Sequence, residues 1–304
     1  MRTLNADLAF PEGPVAMPDG SVLVLEMGRG TLTRISAQGA RSIVATLGGG
    51  PNGAALGPGG KVYICNNGGS EFTRDDSGGW RPVLPPSQYT GGRIEVVDLN
   101  TGKFERLYDS CDGEPLNGPN DLVFDADGNF WFTDFCKRPR NYLDRPAIYW
   151  ARSDGSQIRR VVPHMIGPNG IGLSPDGRTL YASETQTARV HAWDIIGPGE
   201  LRKNDWPATY GARFVAGSAQ NQMFDSLKVT ASGNICVATL FNGGITEVAP
   251  DGAWTRHHAL PELFVTNLAF GGPDGRTAFV TFGHRGMLVA IPWREPGLKL
   301  AFSG

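Results

Sequence analysis

No stretch of this sequence approaches the length of an apolar membrane span, and no block of Lys or Arg occurs in it. The first absence excludes a transmembrane helix as the organising element. The second, with a formal net charge of −2, argues against nucleic acid or an anionic membrane as a partner. Histidine is scarce, with five in 304 residues. Cys65, Cys111, Cys136 and Cys236 lie far apart, without the close pairs that a structural zinc site needs. Buried, reduced thiols are therefore the expectation for the cysteines. Residues 1–7 lack the apolar segment of a signal peptide, so the cytoplasm is the expected compartment. The internal repeat described next has no helical period, which removes solenoids of helix pairs.

What is abundant is glycine, 42 residues, beside 22 prolines and a hydrophobic content of 40%. Many turns and enough apolar side chains for a sizeable core favour an all-β chain of short strands. Residues 118–134 show the unit most clearly: Gly118-Pro119-Asn120-Asp121, an apolar run to Phe124, the turn Asp127-Gly128, then Phe130-Trp131-Phe132. This reads as two antiparallel strands joined by a tight turn. The turn glycine recurs at Gly20, Gly60, Gly177, Gly233 and Gly275, each followed by a β-rich run. Eight positions before the six glycines stand Glu12, Asn52, Asn120, Asn169, Asp225 and Asn267. All six carry a side-chain oxygen. Their spacings are 40, 68, 49, 56 and 42 residues, and 49 from Asn267 through the C-terminus round to Glu12. Six such units predict a six-bladed β-propeller with four-stranded antiparallel blades, residues 1–304 forming one domain. Closing the ring hides two strand edges. Residues 287–291 and 298–302, with a strand from the first ten residues, are expected to complete the last blade.

Within each unit the inner strand runs from the ring residue to the turn, and the next strand returns to the same face. The extra length of the 68-residue interval falls at residues 68–92, on that face. It contains Trp80, Pro85, Pro86 and Tyr89 and reads as a lid-like insertion. The returning strands end at Met27, Phe135, Leu240 and Phe282. With Phe224, Phe241, Trp80 and Tyr89 these predict an apolar mouth in contact with substrate. His284 follows the returning strand of the sixth unit and is placed to shuttle a proton or bind substrate.

Six oxygen-bearing side chains on one axis can pair with each other and with channel water. The two carboxylates, Glu12 and Asp225, would repel in a narrow channel and be poorly solvated, a cost that a bound cation removes. Ligands of oxygen alone suit a hard cation: Ca2+ first, with Mn2+, Mg2+ or Zn2+ as other divalent choices. Such an ion polarises a carbonyl or phosphoryl group. One carboxylate beside the ion is then expected to act as base or nucleophile and the other as a ligand; Asp225 and Glu12 are both candidates for the catalytic role, and their chemistry does not rank them.

Four stretches carry a resemblance: Phe10-Pro11-Glu12-Gly13-Pro14, Gly118-Pro119-Asn120-Asp121, Trp131-Phe132-Thr133-Asp134, and residues 167–181, which begin Gly167-Pro168-Asn169-Gly170. Together they resemble the SMP-30/gluconolactonase/luciferin-regenerating-enzyme family, on its bacterial gluconolactonase side, over nearly the whole chain. The resemblance implies a six-bladed propeller with one catalytic divalent cation, usually Ca2+, acting on small-molecule lactones; relatives hydrolyse organophosphates. It implies metal ligands at Glu12, Asn120, Asn169 and Asp225, the last also base or nucleophile. Asn52 and Asn267 then line the pocket. One departure stands out. Animal members place an Arg two positions before the third ring residue to hold a polyol, and here that position is Gly118. The competing class is a protein-binding propeller, which has no use for two carboxylates facing a channel.

Overall fold

A computed structural model describes residues 1–83, 86–135 and 146–303; Pro85 and Cys136 lie outside them. Six antiparallel sheets are arranged as the blades of a β-propeller. Blade one runs outward from Pro11–Ala16 through Val22–Glu26 and Thr31–Ile35 to Arg41–Thr46. The inner strands of blades two to six are Pro51–Leu56, Pro119–Phe124, Pro168–Leu173, Met223–Val229 and Val265–Gly271.

Each inner strand turns back at the glycine that the repeat singled out. Gly20, Gly60, Gly128, Gly177, Gly233 and Gly275 all have φ between +68° and +95°, a region that side chains penalise and glycine does not.

The apolar core is divided rather than central. One cluster fills each gap between adjacent blades, for example Val123, Trp131, Trp150, Leu180 and Trp193 between blades three and four. Cys65, Cys111 and Cys236 are buried and free of disulfides, as expected of reduced thiols.

Ring closure comes from the N-terminus. Arg2–Asn5 pairs antiparallel with Met287–Pro292 as the outer strand of blade six. The expectation for residues 298–302 is corrected: they form no strand. The tail crosses the far end of the channel instead, with Leu298 N–H bonded to Val229 O at 2.9 Å and Phe302 edge-on to Phe124 at 5.3 Å. Leu298, Leu300 and Phe302 thus close an apolar cavity of about 90 Å³ beneath the ring, which Leu56, Phe124 and Leu173 also line. Leu298 and Phe302 are half-buried there and Leu300 stays exposed.

Candidate active site on the propeller axis

Every inner strand breaks register with its neighbour at the ring residue. The irregularities fall at Glu12/Val15, Pro51/Ala54, Pro119/Leu122, Pro168/Ile171, Phe224/Leu227 and Val265/Asn267. A bulge re-aims a side chain and frees backbone groups, and here hydroxyls from the returning strands take up the freed groups. Ser183 Oγ accepts from Gly170 N at 2.8 Å and donates to Asp225 O of the next blade at 2.6 Å. Thr133 Oγ1 likewise accepts from Asp121 N and donates to Asn169 O. Across the closure, Thr266 Oγ1 donates to Pro11 O at 3.0 Å. Glycine after the ring residue allows the close approach: a Cβ on Gly13 would lie 2.3 Å from Asn52 O.

The six ring side chains are all buried. Glu12 Oε2 accepts from Asn267 Nδ2 at 2.9 Å and from Gly13 N at 2.8 Å. Asn169 donates through Nδ2 to Thr185 Oγ1 at 3.1 Å. Burial, then the charge of Asp225, pushes the Glu12 carboxyl well above its ordinary range, although Asn267 and Gly13 pull it back. Burial likewise pushes Asp225 up to about 7; the Asn169 hydrogen bond opposes the shift and the charge of Asp121 adds to it.

Two acceptors are left over. Asn52 Oδ1 and Asn120 Oδ1 are buried without a hydrogen-bond partner, a cost of about 1–3 kcal/mol each. Unpaired amide oxygens beside two carboxyls that resist ionisation are a donor set for a hard cation. No group of three or more His, Cys, Asp or Glu poised for a metal occurs among the described residues. Any cation here would rest on the two carboxylates with the amides.

The insertion is anchored at the ring end of blades one, three and six. Its hairpin pairs Glu71–Arg74 with Trp80–Val83 and reaches blades one and six. Trp80 N donates to His284 O at 2.8 Å, and Trp80 Nε1 to Leu8 O at 3.0 Å. His284 Nε2 meets Asp75 Oδ2 at 2.7 Å, so this histidine ties the hairpin to blade six. On the other side, Tyr89 donates its hydroxyl to Asn117 O at 2.6 Å, just before the blade-three ring motif.

The predicted apolar mouth is partly corrected. Phe224 is 1% exposed and packs between blades four and five, and Phe282 is wholly buried between blades five and six. Met27 and Leu240 are buried as well, whereas Phe135 is half-buried and Phe241 exposed. The aromatic wall joins Phe241 to three residues not expected there. Phe72 of the hairpin lies 4.6 Å from Phe10, Phe10 lies 6.3 Å from Phe264, and Phe264 lies 5.5 Å from Phe241. Phe10 precedes Glu12 by two residues and Phe264 precedes Asn267 by three, which was the available signal. A recess of about 700 Å³ beside this wall is lined by Gly79, Phe241, Asn242, Glu262, His284 and Arg285.

Fold and ring together define the class: a six-bladed propeller with an oxygen-lined axial site. Residues 10–284 match the SMP-30/Gluconolactonase/LRE-like region, and the chain belongs to that family. It is 24% identical to a gluconolactonase of Zymomonas mobilis, over 93% of this chain and 79% of that protein. It is 28% identical to a diisopropyl-fluorophosphatase of Loligo vulgaris, over 68% of each chain. Among solved structures, a calcium-binding regucalcin of Agrobacterium tumefaciens superposes with a TM-score of 0.73 at 19% identity, covering 98% of this chain and 97% of that one.

Proposed function

We propose that this chain is a divalent-cation-dependent hydrolase of lactones. The observation that carries the reading is the pair of unpartnered amide oxygens, Asn52 Oδ1 and Asn120 Oδ1, in one ring with Glu12 and Asp225. Glu12, Asn120, Asn169 and Asp225 would hold the cation, with Ca2+ favoured by the all-oxygen set. When bound, it would supply positive charge to polarise the lactone carbonyl.

Asp225, as a carboxylate, takes the proton from the attacking water or attacks the carbonyl carbon itself. In the first case water oxygen bonds to that carbon, the ring C–O bond breaks, and the proton passes to the leaving oxygen. The product is a hydroxy acid. Thr185 and Ser226 orient Asn169 (Ser226 Oγ to Asn169 Oδ1, 3.4 Å), and the hydrogen bond from Asn267 orients Glu12. The hairpin of the insertion and its anchors Trp80, Tyr89 and His284 act as a lid that keeps water from the bound substrate.

The same ring suits a phosphotriester, and likeness to a diisopropyl-fluorophosphatase favours that as the second reading. Gly118 offers no side chain to grip a sugar hydroxyl, whereas half-buried Phe72 and exposed Phe241, backed by Phe10 and Phe264, present apolar faces. Lactones with an alkyl or aryl portion are therefore expected to exceed gluconolactone in kcat/KM, and deleting residues 70–90 should lower kcat/KM for them. A panel of lactones and one phosphotriester, assayed with and without chelator, tests this. Chelator-sensitive turnover of apolar lactones supports it. Preference for gluconolactone over apolar lactones of equal ring size contradicts the substrate assignment, and turnover indifferent to chelation contradicts the cation.

A further inference from the structure

The six inner strands together contain four ionisable side chains: Glu12, Asp121, Asp225 and Lys228. Lys228 stands three residues beyond Asp225 on blade five and reaches across the axis to blade three. Its Nζ donates to Asp121 Oδ2 at 3.0 Å and to Leu227 O at 3.0 Å. Asp121 is fully buried beside Asn120 and also accepts from Leu122 N at 2.9 Å. The ion pair spans the channel between the ring and the apolar cavity, which Lys228 also lines. The Asp121 side chain is 1% exposed and that of Lys228 17%, so their charges act at short range and with reduced screening.

With all four groups ionised, the channel carries three negative charges and one positive. The sum of −2 matches a single divalent ion. We infer that Lys228 is the resident counter-cation of the channel, compensating Asp121 and so setting the charge with which the ring binds one divalent cation. It is a positioning residue, since it touches neither the ring oxygens nor a substrate in this arrangement. The inference rests on the cation-dependent reading above.

The test is calorimetric Ca2+ titration of chelator-stripped, folded protein, with no activity readout. Asp121→Asn leaves Lys228 uncompensated and lowers the channel charge to −1, so Kd should rise about tenfold or more. Lys228→Met takes the charge to −3 and should lower Kd by a similar factor. The double variant Asp121→Asn/Lys228→Met restores −2 and should return Kd to within about threefold of the unaltered protein. A merely structural pair would move both single variants the same way. Weaker binding in Lys228→Met, or no change in either single variant, overturns the inference. Should Lys228→Met not fold, Lys228→Gln takes its place: tighter binding than in the unaltered protein supports the inference, and weaker or unchanged binding overturns it. Absence of Ca2+ binding by the unaltered protein would instead remove the cation reading itself, a result distinct from either.

Discussion

Asp225→Asn is expected to lower kcat for a responsive lactone by about 10³-fold or more while still permitting a divalent cation to bind. The amide keeps an oxygen in the same place but can neither accept a proton at neutral pH nor attack a carbonyl, and loss of such a group costs roughly 10²–10⁴-fold. The backbone anchor of the residue, the hydrogen bond from Ser183 Oγ to Asp225 O, is untouched, so folding should survive. Cation affinity should weaken through loss of one charge. Steady-state kinetics at saturating Ca2+, paired with calorimetric titration, separate the two effects. Equal activity in the variant would leave Asp225 as no more than a ligand.

The second large effect is an inverted pH dependence of stability in the cation-free protein. Asp225 is held up at about 7 in the fold, against about 3.9 when unfolded. Between those values the folded state binds more protons than the unfolded state, so stability falls as pH rises from about 4 to about 7 and is level beyond. A shift of that size corresponds to roughly 4 kcal/mol at most, and Glu12, also raised, adds in the same direction. Glu184 sets the opposite slope in a lower window. Burial works to raise its carboxyl, but nearby His191, 3.6 Å away, and hydrogen bonds from Thr187, Ile166 N and Tyr210 outweigh it and hold Glu184 at about 2. Its contribution is fully present above about 4.3 and is lost as pH falls toward 2. The cation-free protein should therefore be most stable near pH 4–5. Added Ca2+ should raise Tm little at pH 5 and by several degrees or more at pH 8, because binding tightens as the two carboxylates ionise. Thermal melts at the two pH values, with chelator and with Ca2+, check this. A Ca2+ increment as large at pH 5 as at pH 8 would contradict the assignment of the shifted groups.

The ring was legible because its two signals are local and of fixed offset. A turn that needs positive φ demands glycine, and eight residues earlier an oxygen side chain faces the axis. Closure by the N-terminal strand was legible for a similar reason, since the last unit is one strand short. The mouth was not. Reading side-chain direction by alternation assumes an unbroken register, and a one-residue shift exchanges the two faces. Each inner strand carries such a shift at the ring residue itself. Phe224 and Phe282 consequently belong to the gaps between blades, while the Phe10–Phe72 contact depends on where the hairpin docks, which no local pattern encodes. The same irregularity hid the pairing of Asp121 with Lys228, which join blades three and five. Residues 298–302, Leu-Lys-Leu-Ala-Phe, alternate as a strand would, but Leu298 and Phe302 pack at the apolar end of the channel instead.

The central claim is that the axial ring binds one divalent cation through Glu12 and Asp225 with the ring amides. Calorimetric titration of chelator-stripped protein with Ca2+ at pH 8 tests it most directly, with the Glu12→Gln/Asp225→Asn variant alongside. One ion bound per chain, and none by the folded double variant, is the predicted result; no binding to the unaltered chain, or binding that persists in the variant, would contradict it.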